Sequence, residues 1–241
     1  MGQITYGQIE YNSKKSYDDF GFAINDIQIG LPGQNIITES VPFQNGFYDF
    51  TEMNGETTYS ERKIKITFYQ NDIKDYRRDR LNMIYSNIVN WLMSAGASKL
   101  KLTWLEGLFT ARVNDISDID LLEKRGIIEV EFLCQPFRQW ENYESDFIWD
   151  TFNFETDVVQ GLYEVDGELE VTLVNLSIHK VKPLIVASAE MEVEKISNGL
   201  GVKYVVKKGN TDNLIELAKG ENKIKITGTG TIEFRWKREV I

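Results

Sequence analysis

Apolar and polar residues alternate along much of the chain. In "ERKIKITF", Ile64, Ile66 and Phe68 fall on one side and Lys63, Lys65 and Thr67 on the other. A period of two is the spacing of a strand with one buried face, and it predicts a strand there. "TIEFRWKRE" repeats the pattern with Ile232, Phe234 and Trp236, and "GELEVTLVN" repeats it with Leu169, Val171 and Leu173. In "KIKITGTGTIEF" two such runs flank Gly228 and Gly230, which predicts a hairpin with "GTG" as its turn. One stretch departs from this period. Between Asp72 and Ala95, Leu81, Ile84, Ile88, Trp91 and Ala95 recur at helical spacing, with Asp72 and Asp75 suited to the start and Gly96 to the end. That stripe is expected to pack on a sheet, as most such stripes do. The pattern predicts a mainly β (α+β) chain with one helix.

Composition adds domain number. The 241 residues are 42% hydrophobic and 27% charged, enough for one large domain or two ordinary ones. Positions 1–140 carry 15 basic and 19 acidic residues, and positions 141–241 carry 12 and 18. No Lys or Arg occurs between Arg138 and Lys180, while ten carboxylates fall from Glu141 to Glu170, interleaved with Trp140, Tyr143, Phe147, Trp149, Phe152, Phe154 and Tyr163. Such a shift marks a connection near 139–150 and predicts domains 1–140 and 141–241. No apolar run reaches the roughly 18 to 20 residues of a membrane span. The start, "MGQITYGQIEYNSKK", lacks a basic and apolar leader, and Tyr6 stands where myristoylation wants Ser or Thr. A soluble chain made in a cytoplasm, without a membrane partner, is expected.

The counts narrow the chemistry. His179 is the one histidine and Cys134 the one cysteine, which excludes a multi-histidine metal site and an intrachain disulfide. Cys134 lies in the strand-like "IIEVEFLCQPF" and reads as a buried, inert thiol, and His179 as a strand-end or loop residue without a role. No phosphate-binding glycine loop is present, and no cofactor is expected. A net charge of −10 opposes general nucleic-acid binding. "DYRRDR" gathers Arg77, Arg78 and Arg80, but Asp75 and Asp79 neutralise much of it, so a solvated or subunit-facing helix edge is expected. The carboxylates and rings of 141–170 leave open a non-catalytic sugar-binding sandwich and a glycoside hydrolase.

Val41 to Gln70, "VPFQNGFYDFTEMNGETTYSERKIKITFYQ", holds seven rings, four of them crowded around Gly46 and Asp49. The succession of a Val-Pro turn, a Gly-x-Tyr-Asp-Phe turn and a Tyr-x-x-Arg strand resembles the N-terminal segment of siphophage distal tail (Dit) proteins. The matching positions are Val41, Pro42, Gly46, Tyr48, Asp49, Phe50, Tyr59 and Arg62. In order downstream, "KLKLTW", the segment with Ala111, Arg112, Val113, Cys134 and Pro136, and the ending "GENKIKITGTGTIEFRWKREVI" resemble the same family.

The resemblance implies an N-terminal split β-barrel with one helix, tail-tube-like, and a C-terminal galectin-like β-sandwich. It implies a structural protein without catalysis: a hexameric ring of this chain, the hub of a phage or prophage tail tip. Such a ring joins the tail tube to tail-tip and receptor-binding proteins, is assembled in the bacterial cytoplasm, and passes DNA through its channel without specific binding. Tyr48 and Arg62 are then expected to fix a turn and a strand, and Gly30–Phe43 to form an arm that pairs with the neighbouring subunit's sheet, covering edge-strand hydrogen bonds. The alternative reading is a non-catalytic carbohydrate-binding module for host cell-wall glycans.

Overall fold

A computed structural model describes residues 7–53, 55–70, 78–117, 127–144, 146, 162–197 and 200–241, without the side chains of 78–81, 197 and 200. The chain divides into two compact units, residues 1–138 and 139–240. It is mainly β with one helix among the described residues, as the alternation predicts.

The first unit contains β1 (Ile9–Tyr11), β2 (Lys14–Lys15), β3 (Phe22–Ile29), β4 (Thr38–Glu39), β5 (Tyr48–Asp49) and β6 (Arg62–Gln70). Helix α1 (Arg78–Ser94), β7 (Ser98–Leu102), β8 (Leu108–Ile116) and β9 (Ile127–Cys134) follow, and β10 (Arg138–Gln139) spans the change of unit. The sheet runs β2-β1-β7-β8-β9-β6-β3, antiparallel at each step. Its last strand, β3, also meets the segment just ahead of β1, where the Ile24 amide donates to the Gly7 carbonyl at 2.9 Å. Alternation in β6 buries Arg62, Ile64, Ile66 and Phe68 and leaves Lys63 and Lys65 exposed.

Helix α1 closes the core. The stripe read from spacing is present through Ile84, Ile88, Trp91 and Ala95, but Tyr85 and Leu92 are buried too, so the face is wider than the sequence reading. Leu81 is a helix residue whose side chain is not described, and Asp72 and Asp75 lie outside the described residues, as does Arg77. Gly96, at φ +59°, takes the left-handed turn after the last helical residues. Trp91 Nε1 donates to the Tyr11 carbonyl at 3.0 Å and the Tyr11 hydroxyl donates to the Gly96 carbonyl at 2.5 Å, fixing the helix's end over β1.

The second unit holds β11 (Leu162–Asn175), β12 (Leu184–Ala187), β13 (Met191–Ser197), β14 (Leu200–Val206), β15 (Gly209–Thr211), β16 (Gly220–Arg235) and β17 (Glu239–Val240). The expected hairpin within "KIKITGTGTIEF" is instead one 16-residue strand, β16. β11 pairs with it from Leu162 to Asn175, while β12 and β13 share its other edge end to end. Gly228 and Gly230 have φ of +149° and +140° inside this strand. A Cβ there would come within 2.9 Å of the Met191 side chain, and at Gly230 within 2.5 Å of Ser188 Oγ. The glycines therefore let the β12–β13 connection cross close over β16, which is a strand-interior use of glycine and not a turn. A buried ion pair, Arg238 Nε to Glu144 Oε1 at 2.7 Å, ties the unit's first segment to its last. Phe147, Trp149, Phe152 and Phe154 lie outside the described residues.

Candidate assembly arm

β3 and β6 form a hairpin whose connection, residues 30–61, extends beyond the sheet as an arm. The ribbon continues rung by rung: Gly30 N to Lys63 O at 2.8 Å, Ser60 N to Gly33 O at 2.8 Å and Asn35 N to Thr58 O at 2.9 Å. After residues 51–53 and 55–57, which lie outside the ribbon, Phe50 N donates to Ile37 O at 2.8 Å and β4 pairs with β5. The arm expected from Gly30 to Phe43 is thus one side of a longer ribbon that returns through Ser60.

The root of the arm is anchored by Arg62, whose side chain is only 3% exposed as a residue of the core face. Its Nε donates to the Gly30 carbonyl at 2.8 Å and its Nη1 to the Pro136 carbonyl at 3.3 Å. The guanidinium lies 5.2 Å from the Phe109 ring centre. Burial lowers its pKa below the usual arginine value, because few partners replace the lost water. Tyr59 packs edge-on against Phe137 at 5.4 Å and bridges Gln34. The Tyr-x-x-Arg pair therefore grips "QPF", the segment that follows β9. Cys134, opposite Arg62 in the pairing of β6 with β9, is buried, and burial pushes its thiol up to about 12.

The outer arm is built differently. At its tip the Gln44 amide donates to the Val41 carbonyl at 3.2 Å, Pro42 is exposed, and Gly46 takes φ +90°. Phe43 is fully exposed and has φ +66°, a conformation that costs about 1–3 kcal/mol for a residue with a Cβ. Asp49 Oδ1 accepts from the Thr51 amide at 2.9 Å, and bonds from Thr51 hold the carboxyl below its usual pKa. The Tyr48 hydroxyl meets the Gln44 side chain at 3.0 Å, and its ring stacks loosely on Phe50 at 6.5 Å. These contacts shape a turn. They leave Leu31 at 78% and Met53 at 77% exposed, with Ile36, Phe47 and Phe50 exposed as well. So many apolar side chains outside a core mark a surface made to be covered.

On the sheet face away from the core, Asp26, Asp115, Glu129 and Glu131 line a shallow hollow with Gln28, Lys65, Thr67 and Ser117. Glu131 accepts from Lys63 at 2.8 Å and from Asn114 at 2.8 Å, which holds its carboxyl below the ordinary range. No group of three or more His, Cys, Asp or Glu is gathered as a metal site among the described residues. In the second unit His179, read from sequence as without a role, bonds the Glu239 carboxylate through Nε2 at 2.7 Å and the Lys180 carbonyl through Nδ1 at 2.6 Å. Its role is a structural tie between a loop and β17.

No family model matches the chain, and no curated protein matches it in sequence. Its fold is matched by the Dit protein (gp 19.1) of phage SPP1, described as a paradigm of hub adsorption apparatus in Gram-positive infecting phages. The two share 11% identity at a TM-score of 0.66, over 98% of this chain and 100% of that one. Chains of the phage p2 baseplate in its activated conformation, with Sr and with Ca, align at TM-scores of 0.45 and 0.42 and 9% identity. They cover 99% and 98% of this chain and 99% of their own, but scores that low do not establish a common fold. The fold is the one seen in the SPP1 phage protein. In architecture the chain is Dit-like, and the resemblance read from the Val41–Arg62 motifs is borne out at that level.

Proposed function

We propose that this chain is a non-catalytic structural hub of a siphophage tail tip, in which six copies form a ring between the tail tube and the host-adsorption apparatus. The observation that carries this reading is the arm. A two-stranded ribbon with exposed Leu31, Ile36, Phe43, Phe47 and Met53 is marginal alone in water, and it gains order when another surface covers it. The fold shared with the SPP1 protein supports the same reading. The motif residues Val41, Pro42, Gly46, Tyr48, Asp49 and Phe50 then shape the arm's outer part, and Tyr59 and Arg62 hold its root. The first unit, residues 1–140 in the sequence division, is the ring-forming body. Residues 141–241 form the peripheral domain that docks tail-tip or receptor-binding proteins.

The carboxylates Asp26, Asp115, Glu129 and Glu131 suit the wall of a channel through which DNA slides without sticking, since like charge disfavours adsorption. A carbohydrate-binding module remains the second reading, favoured by the aromatic content of the acidic region. Native mass measurement, alone and with neighbouring tail proteins, separates the two. The hub reading predicts a ring of six that is lost when Pro32–Val41 is deleted. An unchanged hexamer after that deletion refutes the arm's role, and a monomer with and without tail partners that is retained by cell-wall glycans overturns the hub.

A further inference from the structure

Two blocks of the first unit have opposite charge character. From Ser16 to Glu61 no Lys or Arg occurs, and the arm alone carries Glu39, Asp49, Glu52, Glu56 and Glu61. From Arg80 to Leu105 no Asp or Glu occurs, while Arg80, Lys99 and Lys101 are present. Within that second block, Leu81 to Ser98 is an 18-residue run without any charge, in a chain that is 27% charged. Most of this run is helix α1, and only one side of it faces the core.

The other side faces outward. Met83 and Met93 are 60% and 63% exposed, and Ser86, Asn87 and Asn90 lie exposed beside them. Exposed helix faces normally carry charged residues, which keep them wet, and depletion of charge marks the centre of a protein interface. At the helix's end β7 brings in two lysines, Lys99 and Lys101. Lys99 is exposed on β7, where it reaches the Thr110 hydroxyl at 3.1 Å. Lys14 lies over Phe20, which stacks on Trp91 of the helix at 4.7 Å.

We infer that the outer face of α1 with the adjoining basic start of β7 is the receiving surface for the arm of a second copy of this chain. The inference rests on the ring reading and names the surface that reading requires. The complement is twofold: apolar arm residues Ile36, Phe43 and Phe47 meet an uncharged helix face carrying two methionines, and the arm's carboxylates meet a block without carboxylates. The two surfaces do not cover each other within one chain, because both sets are exposed. Arm to helix is therefore a head-to-tail contact between copies, the kind that closes into rings.

The test uses the chain's single cysteine to advantage. Cys134 is buried with its thiol pushed up to about 12, so introduced cysteines are the reactive ones. Full-length chains carrying Phe43→Cys and Asn87→Cys are mixed and treated with a short bis-maleimide. Dimers in the mixture, absent from either variant alone, and a ladder in the double variant are expected. Separately, Asn87→Glu should weaken association about tenfold or more, and Asn87→Lys much less, since only the carboxylate repels an acidic arm. Circular dichroism and unfolding midpoints of each variant confirm folding. A hexamer that forms normally, yet gives no arm-to-helix cross-link and ignores Asn87→Glu, overturns this inference and leaves the ring standing. A wild-type chain that stays monomeric with and without its tail partners overturns both.

Discussion

Replacing Arg62 with methionine isolates what holds the arm to the body. Methionine keeps an unbranched stem of similar length in the core and removes both donated hydrogen bonds. The bond to Gly30 at 2.8 Å is short and charge-assisted, and the one to Pro136 at 3.3 Å is longer. Bonds with one charged partner contribute about 1.5–3 kcal/mol each, the longer one near the bottom of that range. The lost contact with the Phe109 ring adds roughly 0.5–2 kcal/mol. Against this stands relief of a buried charge, whose cost is visible in the lowered Arg62 pKa. The net expectation is a loss of about 2–4 kcal/mol for Arg62→Met. Arg62→Lys should lose about half as much, because an ammonium at the end of a flexible stem cannot serve both carbonyls in the same geometry.

Urea unfolding of the full chain measures the magnitude, and hydrogen exchange by mass spectrometry places it. The amides of Gly30, Asn35 and Ser60 form the first rungs of the arm and should lose protection first. Lys65→Met, on the exposed face of the same strand, serves as the control and should cost roughly 0–1 kcal/mol. The reasoning fails if Arg62→Met costs no more than that control, or if protection across 30–60 is unchanged.

Two further predictions follow from other parts of the chain. Gly228→Ala and Gly230→Ala should each cost about 1–3 kcal/mol, since both backbones lie at positive φ and the new methyl meets Met191; an unchanged urea midpoint would contradict the crossing over β16. Glu131 has a folded pKa below its ordinary 4.5, so its contribution is present above that value and fades as pH falls through the lower folded one. Wild type should therefore exceed Glu131→Gln in stability at pH 7 and converge with it on acidification, and a gap that stays constant with pH would refute the ion-pair account.

Much of the fold was legible because burial and alternation share a period. Ile64, Ile66 and Phe68, or Ile232, Phe234 and Trp236, announce a buried strand face without any knowledge of what covers it. The misreading of "GTG" shows where local pattern stops. A glycine in a turn and a glycine under a crossing connection look alike in sequence, and only Ser188 and Met191, some forty residues earlier, decide between them. The sequence around His179 is silent for the same reason: its partner Glu239 is 60 residues away. Spacing alone draws the helix face too narrowly, because Tyr85 and Leu92 flank the stripe one residue from Ile84 and Trp91.

The aromatic stretch Val41–Gln70 combines two physical situations that sequence cannot separate. Tyr59, Arg62 and Phe68 turn toward the body, whereas Phe43, Phe47 and Phe50 are exposed on the arm. Arg62 looks like one more surface base, yet its bonds join Gly30 and Pro136, 32 and 74 residues away. A ribbon of this kind has little core of its own, so its order must come from its two ends. Arg62 and Tyr59 supply one end within the chain. On the assembly reading a neighbouring copy supplies the other, which is why a base-free, ring-rich segment and a charge-free helix face occur in the same unit without touching.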